Sequence, residues 1–394
     1  MTLHSSIYTL ENPTHLWLDI DETDKARIWQ QTQKQGFSTS SRRWVGYLNR
    51  LTLNAFLPWL QSEHVTNATV FPQPAALPGI WEVVNGTSIN IGTKKLVLIP
   101  TEALDLSELR VSQEWVDIPN WIADYYVAVQ VNLEEGCIRI WGYATHAQLK
   151  NQATYDASDR AYSLDGEAVI SNINIIWIAQ QLCPSEITRV DVAALPTLPL
   201  AQAENLLNRV GNPAVVSPRT SIPFANWGAL LEHGGWRQKL YEKRLEQQQQ
   251  WSVLEWIQIG VSDFAQRFGW GSVELEPSFS GARGSESATL LPTMVRKLTV
   301  LGQQYELRVQ PKGDVKNHVW RFELRHAVKG QYVPTGFKLQ LLTEDLLPFP
   351  GNQVQATTSV ERLYLEIAMG ESGEGLVWVV EPTPENFEYE VLFF

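Results

Sequence analysis

Along the first 64 residues the apolar positions keep a helical period. Asp21 to Gln35 sets helix formers behind an acidic first turn, and Gly36 supplies a stop. A second helix begins near Ser40 or Ser41, with Trp44, Leu48, Leu51, Ala55 and Trp59 on one face. Pro58 near its end is expected to kink or terminate it, because the ring removes a donor and crowds the preceding turn. The period then changes. Pro72, Pro74 and Pro78 mark a loop. Trp81–Val84, the turn-prone pair Asn85-Gly86, and Lys95–Ile99 follow as strands in a hairpin-like arrangement. Trp121–Val131 and Cys137–Tyr143 form a second strand pair, joined across Asn132–Gly136. Helical spacing returns over Asp165–Leu182, which Pro184 ends, and over Leu198–Val210, which Gly211 closes. Phe224–His233 and Trp236–Gln250 follow, split by Gly234-Gly235.

The Gly- and Ser-rich stretch 277–289 reads as a linker. Beyond it come seven short runs: Val295–Val300, Tyr305–Val309, Val319–Leu324, Phe337–Leu342, Leu363–Ala368, Leu376–Val380 and Tyr389–Phe393. Their near-regular spacing predicts an antiparallel β-sandwich. Arg321, Glu323 and Arg325 alternate with apolar neighbours, as on a strand with one wet face. The expected fold is therefore α+β. A mixed helix-and-sheet region spans 1–276, being helical over 1–64, a small sheet over 65–144 and helical over 145–276. A β-sandwich domain follows over 290–394.

A chain of 394 residues is long enough for two or three such units. It carries 31 Lys and Arg against 43 Asp and Glu, a net charge of −12 with no basic block. Nucleic-acid binding needs a positive surface to release counterions, so it is not expected. An acidic surface fits a basic protein partner. Nothing in the sequence predicts a membrane span or a leader, which makes a cytoplasmic protein the expectation. Cys137 and Cys183 lie too far apart for a zinc or redox motif, and both sit in apolar contexts that predict buried thiols. No metal and no cofactor is expected. The acidic run Asp19–Asp24 lacks the glycine and distal glutamate of a calcium loop and reads as a helix start.

The run Ser107–Pro119 (SELRVSQEWVDIP) is distinctive. So are Trp121, Asp124-Tyr125-Tyr126, Trp141-Gly142-Tyr143, Gly235-Trp236-Arg237 and Gly375-Leu376-Val377-Trp378. Together they resemble a cyanobacterial family known only as domain of unknown function 1822, over nearly the whole chain. The resemblance brings no catalytic residue with it. It implies a regulatory or interaction role.

The leading expectation is a non-enzymatic regulatory or scaffold protein acting by protein–protein binding in stress signalling or transcription control. Of 16 tryptophans, Trp115, Trp121, Trp236 and Trp378 are the candidate anchors, since Trp is enriched at interface hot spots. A hydrolase or transferase is the first alternative, with His146, Asp156, Asp159 and Arg160 as its polar constellation. The simpler reading of those four is a helix start at Thr145-His146 and a salt-bridged turn. A carbohydrate- or peptide-binding sandwich, with Trp320 or Trp378 stacking on the ligand, is the second alternative.

Overall fold

A computed structural model describes residues 12–246, 251–273, 293–313, 315, 318–369 and 374–394. The expected linker at 277–289 lies outside the described residues. The chain separates into two compact units. The first holds residues 1–198, 202–233 and 237–247; the second holds 199–201, 234–236 and 248–394. The composition is mixed helix and sheet, with several antiparallel sheets.

The first unit is built on a six-stranded sheet of order β1-β7-β6-β4-β3-β2. Its strands are β1 (Leu16–Asp19), β2 (Thr69–Phe71), β3 (Thr87–Ile91), β4 (Lys94–Thr101), β6 (Tyr125–Asn132) and β7 (Cys137–Thr145). Neighbours are antiparallel except β4 and β6, which run parallel. A parallel pair needs a crossover. Here it carries β5 (Glu108–Ser112) and a one-turn helix, Gln113–Asp117. Strand β5 pairs with β9 (Ala161–Asp165), and β9 with β8 (Thr154–Asp156), making a separate three-stranded sheet.

The helix Ser40–Glu63 packs on β4, β6 and β1 through a face that buries Leu48, Leu51, Phe56 and Leu60. Pro58 does not end this helix, which runs on to Glu63. The expected acidic start holds: Asp21 caps the helix Glu22–Lys34 by accepting from the Asp24 amide at 2.7 Å. Two expectations fail. Trp81 closes a short helix, Leu77–Trp81, and Val83 and Val84 lie in the following turn rather than in a strand. The segment from Asp165 makes a single 3-10 turn, Gly166–Ala168, capped by Asp165, and is α-helical only from Asn174 to Leu182, because Ile170 is drawn into a backbone bridge with Tyr143.

Ion pairs are buried within this unit. Arg244 donates from Nε to Glu82 at 2.8 Å, and both side chains are excluded from solvent. The rest of the guanidinium is met by Ser38 Oγ and by the Val210 and Val215 carbonyls. The second pair, Glu114 with Arg219, is described with the site below.

The second unit contains two antiparallel sheets. One has the order β10-β11-β12-β13-β16, with β10 (Trp270–Val273), β11 (Thr293–Val300), β12 (Gln303–Pro311), β13 (Val319–His326) and β16 (Arg362–Ala368). The other has the order β15-β14-β17-β18, with β14 (Lys338–Thr343), β15 (Gln353–Gln355), β17 (Gly375–Glu381) and β18 (Val391–Phe393). Residues 270–273 read as part of the first region, but β10 hydrogen-bonds to β11 and belongs here. On β13, Trp320, Phe322 and Leu324 are buried. The intervening Arg321 pairs with Glu366, and Arg325 with Glu306.

Removing one partner of a buried pair strands the other charge. Glu82→Leu is expected to cost about 3–5 kcal/mol in urea unfolding. The double variant Glu82→Leu/Arg244→Met is expected to recover most of that loss. Equal destabilisation of single and double variants would show that the pair's packing, not its charge, matters.

Candidate functional site

The one-turn helix Gln113–Asp117 carries the polar chemistry of the first unit. Glu114 is fully buried. Its Oε1 accepts from Arg219 Nε at 2.9 Å and from the Trp227 indole at 2.8 Å, and its Oε2 accepts from Arg219 Nη2 at 2.6 Å. Trp115 donates its indole N–H to the Asn85 carbonyl at 2.7 Å, and its own carbonyl accepts from the Tyr126 hydroxyl at 2.7 Å. Gly86 is obligatory beneath that ring. Its φ is +122°, and a Cβ there would lie 2.6 Å from the Trp115 indole nitrogen. Asp117 accepts from Lys150 at 2.8 Å and from the Tyr162 hydroxyl at 2.9 Å.

The expected tryptophan anchors do not reach the surface. Trp115, Trp121, Trp236 and Trp378 are all buried. Trp115 packs on Trp121 with ring centroids 5.0 Å apart, and Trp378 donates to Glu390 at 3.3 Å. Each large apolar ring is worth more in a core than against water, and the indole N–H groups of Trp115 and Trp378 find partners there. Trp320 is buried as well, so neither ring proposed for ligand stacking in the second unit offers a face.

The polar constellation is partly assembled. Asp156 and Asp159 converge on Arg110, which sequence reasoning did not single out. Arg110 reaches Asp156 at 2.5 Å, and reaches Asp159 at 2.8 Å through Nη2 and 3.0 Å through Nε. Glu108 lies 3.8 Å from its Nη1. Strand alternation explains the convergence: Arg110 on β5 leans toward the β8–β9 turn that carries both aspartates. Hydrogen bonds from Ser158 and from Arg110 hold the Asp156 carboxyl down at about 2. Arg160 is not part of this group. Its guanidinium turns to the Arg219 and Ile222 carbonyls.

His146 is elsewhere too. Thr145 caps its helix, as expected, accepting from the Gln148 amide at 3.1 Å. The imidazole is buried between two backbone groups. Nε2 lies 2.9 Å from the Val116 carbonyl, to which it donates, and Nδ1 accepts from the Val190 amide at 3.1 Å. Cys137 is buried, which pushes its thiol up to about 11, whereas Cys183 is exposed, against expectation.

Beside the Arg110 cluster is a cavity of about 470 Å³ between the crossover and the large sheet. Ile99, Pro100, Leu106, Ala128, Val129 and Trp141 form its apolar lining. Asp105, Ser107, Glu108, Arg110 and Asp159 supply the polar side. Trp141 is there because of a β-bulge. Ala128 pairs with Gly142 and Val129 with Ile140, so Trp141 has no residue opposite it. The bulge is held by Gly142, where a Cβ would meet the Ile170 carbonyl oxygen at 2.7 Å. Trp141 is 6 % exposed, and its indole N–H has no acceptor among the described residues.

The chain belongs to the family described as protein of unknown function DUF1822, whose profile matches residues 18–393. No curated protein matches, and no solved structure matches. The distinctive run Ser107–Trp121 coincides with the crossover: its buried half builds the Glu114 and Trp115 contacts, and its strand half lines the cavity.

Two further features were not legible in the sequence. On the helix Asn174–Leu182, Ile175, Ile178 and Leu182 are 41 %, 54 % and 76 % exposed, at the i, i+3, i+7 spacing of one helix face. In the second unit a groove of about 490 Å³ is lined by Arg308, Arg325, Lys329 and Arg362 against Glu323 and Glu361. Among the described residues no group of three or more His, Cys, Asp or Glu is placed to hold a metal ion. No described helix is long and apolar enough to cross a membrane.

Burial lowers the His146 pKa below its ordinary value of 6.5. The unfolded chain therefore takes up a proton near pH 6.5 that the fold does not, so stability is full above that value and falls as pH drops below it. The urea midpoint is expected to fall between pH 7 and pH 5. His146→Gln should flatten that fall while costing about 1–3 kcal/mol at pH 7 for the disturbed backbone contacts. An unchanged slope would assign the acid sensitivity to other groups.

Proposed function

We propose that the protein is a non-catalytic regulatory or scaffold protein that works by binding another protein. The observation that carries this is the apolar face of the helix Asn174–Leu182. The opposite side of that helix is already committed, with Ile176 and Trp177 buried and Trp177 stacked on His64 at 4.6 Å. Ile175, Ile178 and Leu182 are left over as an exposed stripe. Spacing of i, i+3 and i+7 is how a helix presents anchors to a hydrophobic groove. Ile187 adds a fourth exposed apolar residue a few positions on. The segments around it carry Asp165, Glu167, Glu186 and Asp191, and the whole chain is acidic. The partner this fits is a protein with an apolar groove and a Lys- or Arg-bearing rim.

A cytoplasmic setting and a role in signalling or transcription control remain part of the proposal. So does a sandwich arrangement for the two sheets of the second unit. An enzymatic reading has less support, because His146 is locked between backbone groups and stands apart from the Asp156–Asp159 pair.

The test is the triple variant Ile175→Ser/Ile178→Ser/Leu182→Ser, compared with the parent by cross-linking and mass spectrometry in the source cell. Cross-links from one stoichiometric partner should map to residues 172–191 and disappear in the variant. The melting temperature should stay within a few degrees, since exposed substitutions change stability by about 0.5 kcal/mol or less each. Partner cross-links that persist in the variant sink the helix-face assignment.

A further inference from the structure

We infer that the groove on the outer face of strands β12, β13 and β16 binds a small anionic polyol, a sugar phosphate or a sugar acid. Its anionic group would sit among Arg325, Lys329 and Arg362, and one of its hydroxyls would donate to Glu323. The site lies within the second unit and does not depend on the helix face above.

Three observations converge. The first is an unmet carboxylate. Glu323 is only 7 % exposed. Its one ion partner among the described residues, Arg362, stands 3.9 Å away, too far for a hydrogen bond. A carboxylate so withdrawn from water is stable only when donors fill its oxygens. Phe322 and Leu324 on either side point into the core, so strand alternation turns Glu323 outward with Arg321 and Arg325. The Glu323 oxygens are not among the fully enclosed polar atoms that lack a hydrogen bond. The surface they keep opens on the groove that Glu323 lines.

The second is charge. Arg308, Arg325, Lys329 and Arg362 line the groove against Glu323 and Glu361, in a chain whose net charge is −12. Nearby Glu306 offsets part of this through a single oxygen, which accepts from Arg308 Nε at 3.1 Å, Arg308 Nη2 at 3.0 Å and Arg325 Nε at 3.1 Å. Arg325 and Arg362 lie directly opposite each other on β13 and β16. Like charges so placed destabilise a sheet, and an anion bridging the two guanidinium groups removes that cost. Lys329, exposed in the turn after β13, adds a third cation. The third is the company that Glu323 keeps. Arg308 is its cross-strand partner and Arg362 its ion partner. An ammonium group would meet those guanidinium charges at the same spot, whereas a hydroxyl donates without carrying charge. A volume of about 490 Å³ accepts one sugar ring with its anionic group.

The probes are glucose 6-phosphate and glucuronate, each compared with its bare anion, inorganic phosphate or acetate, and with glucose. All are titrated calorimetrically into the full chain at low salt. At least one anionic sugar should bind one to one, about tenfold more tightly than its bare anion, the scale of one charge-assisted hydrogen bond. Which of the two binds names the anion. Glu323→Ala should bring that sugar down to the affinity of its bare anion and leave the bare anion bound at least as tightly. Arg362→Gln/Lys329→Gln should weaken the sugar about tenfold and reduce its salt dependence. Both of these positions are exposed, so this variant keeps the test open if Glu323→Ala fails to fold. A bare anion or glucose binding as tightly as the anionic sugar would overturn the proposal. So would a sugar affinity unchanged by Arg362→Gln/Lys329→Gln, a preference over the bare anion that survives Glu323→Ala, or no saturable heat up to about 10 mM, beyond which affinity is negligible.

Discussion

Five residues, Gln113–Asp117, set the constraint on which the first unit depends. A carboxylate buried as completely as Glu114 is tolerable only if its oxygens are filled by strong donors, because an isolated buried charge costs several kcal/mol. Arg219 and Trp227 supply three such hydrogen bonds, from segments more than a hundred residues downstream. The same turn of helix sends Trp115 to Asn85, lets the Val116 carbonyl accept a hydrogen bond from the His146 ring, and gives Asp117 to Lys150 and Tyr162. Each contact reaches a different element. The crossover is thereby pinned at four points.

A pinned crossover explains the cavity beside it. The connection from β4 to β6 must leave the sheet, run through β5 and return. Because its return is fixed by the Glu114 turn, its outward limb stands off from the sheet instead of collapsing on it. The bulge at Trp141 adds to this by disturbing the pairing of β6 and β7 at the point the limb passes over. Gly142 pays for the irregularity, since only a residue without Cβ lets Ile170 approach so closely. The cavity is thus a consequence of the same contacts that stabilise the unit. Arg110 holds its outer edge by gathering the two aspartates of the β8–β9 turn.

Periodicity made the long elements legible. The helix 40–63 and the strands β11, β12 and β13 were visible because each buries one face over many residues, and burial writes a period into the sequence. Short elements escaped. Val83 and Val84 have strand propensity, but Pro74 and Pro78 start two helical turns that carry the chain past them before β3 begins. Asp165–Leu182 has helical spacing, yet the bridge from Tyr143 to Ile170 outweighs local propensity over its first half. Among the candidate residues, Asp156 and Asp159 were visible as a dense polar run. Arg110 was not, because it lies 46 residues before Asp156 and joins it only through the β5–β9–β8 sheet. The tryptophans were ambiguous for a physical reason: an anchor and a core ring have the same composition and differ only in what covers them. The apolar stripe on 174–182 was hidden for a related one. A helix apolar on both sides reads as buried.

Three ionisable groups of the first unit divide in an informative way. Proton transfer at neutral pH needs a group poised near that pH and free to move the proton. Asp156 is held down at about 2 by the Ser158 and Arg110 hydrogen bonds, and so stays a carboxylate. The His146 imidazole is lowered by burial, and both ring nitrogens are already engaged by backbone. Cys137, on the strand that carries Trp141, is pushed up to about 11 and stays a thiol. Fixed charges and fixed dipoles of this kind recognise a ligand by complementarity.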